Sequence, residues 1–135
     1  MIHFSRSGDD ITISGANLHI VNGTGLTDAL PNGLGNVIIG YNEEREITEV
    51  DENDRSGSHM LVVGTGNNYS SYGGIVVGEY NTASGPWSSV SGGGWNEASG
   101  RSSSVSGGHS NTANRDYASV SGGAGNRASG TASVV

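Results

Sequence analysis

Residues 88–100 read SSVSGGGWNEASG, and the chain repeats the phrase with small changes as SSVSGGHSNTANR from Ser103 and as ASVSGGAGNRASG from Ala118. Laid over one another, the three copies share a period of 15 residues. Val90, Val105 and Val120 fall in one column, and Asn81, Asn96, Asn111 and Asn126 in a second. Ala83, Ala98, Ala113 and Ala128 form a third. Paired glycines recur at Gly92 and Gly93, Gly107 and Gly108, Gly122 and Gly123. The frame extends backwards in more aliphatic wording. GGIVVGEYNTASG sets Ile75 over Val90, Gly78 over Gly93 and Tyr80 over Trp95. HMLVVGTGNNYSS fits one residue short, with Leu61 over Ile75 and Asn67 over Asn81, and NVIIGYNEE places Gly40 in the glycine column.

Fifteen residues are too few for a two-helix repeat, and the Gly and β-branched content opposes helix. The period suits one turn of a parallel β-solenoid, two short strands joined by tight turns with glycine at corners that need positive φ. Equivalent residues then stack about 4.8 Å apart. On this reading Asn67, Asn81, Asn96, Asn111 and Asn126 form a hydrogen-bonded ladder. The fold class is all-β, with residues 1–35 as an N-terminal cap or connector and residues 36–135 as the coils.

Composition makes such a coil thin. Of 135 residues only 33% are hydrophobic, and 24 are Gly. Ordering one residue's backbone costs about 1–2 kcal/mol, whereas burying a Val returns about 1.5–3 kcal/mol. A rung holding one Val and one Ala cannot offset its own ordering entropy, so several chains are expected to associate side by side. Six arginines, no lysine and a net charge of -7 offer no basic stripe for nucleic acid. No apolar run approaches the ~20 residues of a membrane helix, and no membrane contact by this segment is expected. Absent cysteine leaves the compartment open. The opening MIHFSRSGDD lacks the regions of a secretion signal, which leaves two expectations: a chain not exported by that route, or an internal piece of a longer one. The closing SGTASVV fits the repeat frame with one residue missing.

The runs SVSGG-x-x-N-x-ASG, with the variants IVVG and VIIG, resemble the head repeats of YadA-like trimeric autotransporter adhesins over residues 36–135. The resemblance implies a left-handed parallel β-roll of about 15-residue coils, three of which pack side by side as a homotrimer on a cell surface. It implies that Val90, Val105 and Val120 point inward, that Gly93, Gly108 and Gly123 close the motif, and that Ile39, Val63 and Val77 supply a second core aliphatic. That second position becomes Gly92, Gly107 and Gly122 in the later coils. The expected coil core is thus Ile39, Val63, Val77, Val90, Val105 and Val120. The family's stalk, anchor and signal peptide have no counterpart in these residues. Similar modules occur in phage tail fibres, which makes a receptor- or glycan-binding fibre segment the alternative, with localisation at a bacterial surface or on a virion tail.

Outside the repeat, Gly8–Gly25 reads as two strands, Ile11–Ser14 and Leu18–Val21, around a Gly-Ala-Asn turn, capping the first coil. An acidic loop is inserted at residues 43–58. Its segment EEREITEVDEND carries seven of the thirteen acidic residues but lacks the D-x-D-x-D-G spacing of a calcium loop, and reads as a solvated excursion. His3, His19, His59 and His109 share no ligand spacing, so no metal and no cofactor are expected. No nucleophile elbow, phosphate loop or zinc motif is present, which points away from an enzyme. The outward column Thr82, Glu97, Thr112, Arg127 is too charged for a regular ice-binding face. The aromatics Tyr80 and Trp95 share one column and Trp87 and Tyr117 another, placing them as contacts either to a surface protein or glycan or between protomers.

Overall fold

The computed structural model describes residues 3–46 and 53–135, and every regular element in them is a β-strand. Residues 36–135 wind as a parallel β-solenoid of about five turns. One face is a six-stranded sheet of Val37–Ile39, Leu61–Thr65, Ile75–Glu79, Ser89–Val90, Ser104–Val105 and Ser119–Val120. The other is a five-stranded sheet of Asn68–Tyr69, Thr82–Ala83, Glu97–Ala98, Thr112–Ala113 and Arg127–Ala128. Each coil pairs with the next in parallel register.

Three inward columns make the core. Val62, Val76, Val90, Val105 and Val120 come from the first sheet, and Tyr69, Ala83, Ala98, Ala113 and Ala128 from the second; all are buried. The third column begins at Met60 and continues through Gly74 to Ser88, Ser103 and Ala118. Large residues fill the first coil: Met60 leans into the space that Gly74 leaves, with its Sδ accepting the Gly74 N–H at 3.2 Å. Tyr69 occupies the position that alanine holds in every later rung. Ser88 and Ser103 bury hydroxyls with no hydrogen-bond partner, in a column where Ala118 packs without one. A buried unsatisfied hydroxyl costs about 1–3 kcal/mol. Ser103→Ala is therefore expected to raise stability by about 1 kcal/mol, measurable as a higher urea midpoint; a lower midpoint would contradict this packing.

The core differs from the sequence expectation at its N-terminal end. Ile39, Val63 and Val77 do not point inward: Ile39 is 58% exposed and the two valines are half-buried on the outer face. The strand register pairs Val62 with Val76 and Val76 with Val90, so Ile75 stands over Ser89 and not over Val90. Successive strand residues alternate faces, and a slip of one exchanges inside for outside. The slip has a definite source. Val76 and Val90 are 14 positions apart, whereas Glu79 and Gly94, three residues further along the same strand, are 15 apart. The extra residue enters within Ser91–Gly93, so aligning by glycine misplaces the strand before it. The final coil needs the opposite correction. Ser119 bridges Val134 and its N–H bonds the Ser133 carbonyl, so the repeat there keeps its full 15 residues and none is missing.

The N-terminal strands also differ from expectation. They are Phe4–Ser7 and Asp10–Ile13, antiparallel, with Ser7 paired to Asp10. Gly8 at φ +58° makes the two-residue turn between them. Leu18–Val21 forms no strand, and the hairpin lies exposed. The first coil is covered instead by residues 22–37. The Asn22 N–H donates to His59 Nε2, the Asn32 N–H to Ser58 Oγ, and Asn36 Nδ2 to the Gly57 carbonyl. Asn36 Oδ1 accepts the Met60 N–H. Asn36 thus satisfies two backbone groups of the coil just before the Val37–Ile39 strand takes up the pairing, while Asn22 and Asn32 anchor the covering segment to the His59 and Ser58 side chains.

Candidate functional site

The corners decide where large side chains are displayed. Besides the all-glycine column Gly40, Gly64, Gly78, Gly93, Gly108 and Gly123, two columns in each coil hold left-handed backbone: Asn42, Gly66, Tyr80, Trp95, Ser110 and Gly125 at one corner, and His59, Gly73, Trp87, Ser102, Tyr117 and Ala132 at the other. The solenoid demands this conformation whichever residue occupies the column. Glycine and asparagine adopt it readily; a bulky aromatic does so only when its surroundings impose it. All four aromatics singled out from the sequence, Tyr80, Trp87, Trp95 and Tyr117, lie in these columns with φ of 55–60°.

At the first corner Tyr80 and Trp95 stack with centroids 4.7 Å apart and planes 6° from parallel, a separation equal to the rung spacing. At the second, Tyr72 meets Trp87 edge-on at 5.1 Å, and the Arg101 guanidinium lies 4.9 Å over the Trp87 ring. Tyr117 is two rungs further on and 57% exposed. The two corners thus separate the four residues into two displays on opposite edges of the second sheet.

Inside the first corner the asparagine column is continuous. The Asn81 N–H bonds Asn67 Oδ1 at 2.9 Å, the Asn96 N–H bonds Asn81 Oδ1 at 2.8 Å, and Asn111 and Asn126 repeat this at 2.9 Å each. Each Nδ2 also donates to a backbone carbonyl four residues back, as Asn96 does to Gly92. From Asn67 to Asn111 it reaches a glycine carbonyl of the next rung as well. The ladder is therefore mainly side chain to backbone, and it holds the corner that carries the aromatics.

Two features were not evident in the sequence. Arg45, in the acidic loop, is only 8% exposed and reaches across two coils. Its Nε donates to the Gly66 carbonyl at 2.7 Å, and its Nη2 to the carbonyls of Tyr80 and Asn81 and to Thr82 Oγ1. The loop is thus fastened to the first corner, and the expectation of a solvated excursion fails for this part of it. Arg55 bonds the Asn42 carbonyl and pairs with Glu44. Residues 47–52, the middle of the expected 43–58 insertion, lie outside the described residues. The second feature is an open trough of about 560 Å³ floored by Gly40, Gly64, Gly78 and Gly93 and bordered by Glu43 and Glu79. The only advance signal for it was the glycine column; the fold brings Glu43 beside it by lengthening one coil. Among the described residues no three His, Cys, Asp or Glu side chains converge as a metal site.

Comparison with protein-family models, with curated proteins and with solved structures finds no match to this chain.

Proposed function

We propose that this chain is a non-catalytic structural and adhesive head module that works as a side-by-side homotrimer on a bacterial surface fibre. One observation carries this reading. On the outer face of the six-stranded sheet, Val37, Leu61 and Ile75 form one aliphatic column and Ile39, Val63 and Val77 a second; Leu18 and Ile20 border the first column at Val37 and Leu61, yet Val37, Ile39 and Ile75 stay exposed and Leu61, Val63 and Val77 half-buried. In a chain of net charge -7 this is an uncharged, flat and periodic surface. The partner best fitted to a ladder of aliphatics at rung spacing is the same ladder on another copy. Further along, Ser89, Ser104 and Ser119 continue the first column, small enough for close approach of backbones. A count of three, and left-handed winding of each coil, follow from the likeness to YadA-like heads.

The alternative is a receptor- or glycan-binding segment of a phage tail fibre, which the exposed aromatics of the corners favour. Both readings share the trimer. Light scattering on the purified chain is expected to give three times its 13.7 kDa mass, and Ile75→Glu, which puts a charge on the aliphatic face, is expected to dissociate it. A folded monomer of the unaltered chain would overturn the assembly, as would an Ile75→Glu variant that stays trimeric.

A further inference from the structure

We infer that the first corner, at Trp95, is a subsite for a neutral pyranose unit of a surface glycan; this rests on the surface-ligand part of the proposal above and supplies its chemical class. The column Gly66, Tyr80, Trp95, Ser110, Gly125 keeps one backbone conformation, with φ of 61, 55, 59, 56 and 68°. The two rings occupy consecutive rungs and lie across the solenoid axis. One end of the stack is closed: a Cβ at Gly66 would sit 3.2 Å from the Tyr80 ring and 3.5 Å from the Arg45 Cγ.

The other end is open. After Trp95 the column drops to Ser110 and then to Gly125, around whose Cβ position nothing lies within 4 Å. The stack ends on an indole that is 47% exposed, above a shelf one to two rungs high, about 5–10 Å. A pyranose ring is about one rung thick. Its C–H face is polarised positive and complements the negative face of an indole.

Groups that would hold the hydroxyls stand in the adjoining column, which runs Thr65, Glu79, Gly94, His109, Ala124. Glu79 lies one rung before Trp95 and His109 one rung after, with Gly94 leaving the level of the indole without a side chain. His109 Nδ1 and Ser110 Oγ are 2.8 Å apart, a paired donor and acceptor beside the shelf. Glu79 and Gly94 also line the glycine-floored trough that Glu43 borders, so the surface runs on from the indole past two carboxylates. Carboxylates accept from vicinal hydroxyls and repel anionic sugars, and the charge of -7 adds to that. A nucleobase has a suitable face too, but the arginine at this corner, Arg45, lies at the closed end of the stack and is bonded to the carbonyls of Gly66, Tyr80 and Asn81.

The chain has two tryptophans, so Trp87→Phe leaves Trp95 as sole indole reporter. The full chain carrying Trp87→Phe would be titrated with methyl β-galactoside, methyl β-glucoside and methyl α-mannoside, with N-acetylneuraminic acid as the charged control. Trp95 emission and saturation-transfer NMR would be followed. At least one neutral glycoside is expected to change the emission and receive saturation, and the acid to do neither. Trp95→Ala is expected to weaken binding about tenfold or more. Ser110→Met lays an aliphatic side chain over the open indole face without adding a second ring, and is expected to abolish binding with the fold intact, a result that loss of stability by Trp95→Ala cannot imitate. Silence from all three glycosides, equal binding of the acid, or binding that survives both substitutions would each overturn the subsite. Light scattering on the same samples separates this from the assembly: a trimer that ignores sugars refutes only the subsite, and a monomer that binds them refutes only the trimer.

Discussion

Replacing Gly93 by alanine is expected to destabilise the solenoid by about 3 kcal/mol or more, while the same change at neighbouring Gly92 shifts stability by no more than about 1 kcal/mol. Gly93 lies at φ +76°, where an L side chain is strained, and a Cβ built on it would overlap the Gly108 carbonyl oxygen of the next rung. That oxygen cannot yield, because it accepts the Gly94 N–H at 3.0 Å and the Asn96 Nδ2 at 2.9 Å. Relief would require separating two coils and breaking both bonds. At Gly92 φ is not left-handed and nothing lies within 4 Å of a Cβ. Alanine there costs the unfolded chain some entropy and the folded chain little. Urea unfolding of the two variants, followed by circular dichroism, tests the contrast, and equal midpoints would refute the stacked-corner geometry. Two adjacent glycines that look interchangeable in the sequence thus have opposite tolerance.

Asn96→Ala is expected to cost about 3 kcal/mol, because one truncation leaves three buried or part-buried backbone groups short of a partner. The Asn111 N–H loses its acceptor, Oδ1, at 2.9 Å. The carbonyls of Gly92 and Gly108 lose the Nδ2 donor at 3.2 and 2.9 Å. Asn96→Asp keeps the acceptor but turns a second acceptor toward both carbonyls, and is expected to be at least as harmful. Asn126, in the last rung, has its Nδ2 on the Gly122 carbonyl and no further asparagine after it. Asn126→Ala is therefore expected to cost only about 1 kcal/mol. Thermal unfolding of the pair, with amide exchange at Asn111 as a local readout, distinguishes a cooperative ladder from isolated amides. Equal losses at Asn96 and Asn126 would count against the ladder.

Much of the fold was legible because a solenoid writes its geometry as a period. The spacing of Val90, Val105 and Val120 gives the rung, and the asparagine and alanine columns give the second sheet and the corner before it. The misreading at Ile39, Val63 and Val77 has the same root. Glycine marks corners and valine marks strands, and the two frames differ by one residue where a coil of 14 meets a coil of 15. A strand converts that single residue into an exchange of faces, so the outer aliphatic ladder read as core. The hairpin was misplaced because its turn is set by Gly8 and Asp9, with no periodic context on either side to fix it.

The candidate site was legible only as a set of aromatic residues. Their grouping was visible in the columns, since Tyr80 and Trp95 are 15 apart, as are Trp95 and Ser110. That the rings stack face to face, that Arg45 closes one end, and that Glu43 joins Glu79 along a trough depend on coils brought together in space.

The sequence by itself determined the rung: its length, its inward valine and alanine from Ala83 onward, its asparagine ladder and its glycine corners, because each is a local demand repeated in every coil. Tertiary structure decided the rest. It set which of two adjacent valines faces inward at Val62 and Val76, that Gly92 tolerates a side chain where Gly93 does not, and where Arg45 is fastened. Those outcomes turn on the offset between neighbouring coils, a contact between residues about 15 or more apart, and no single coil carries that information.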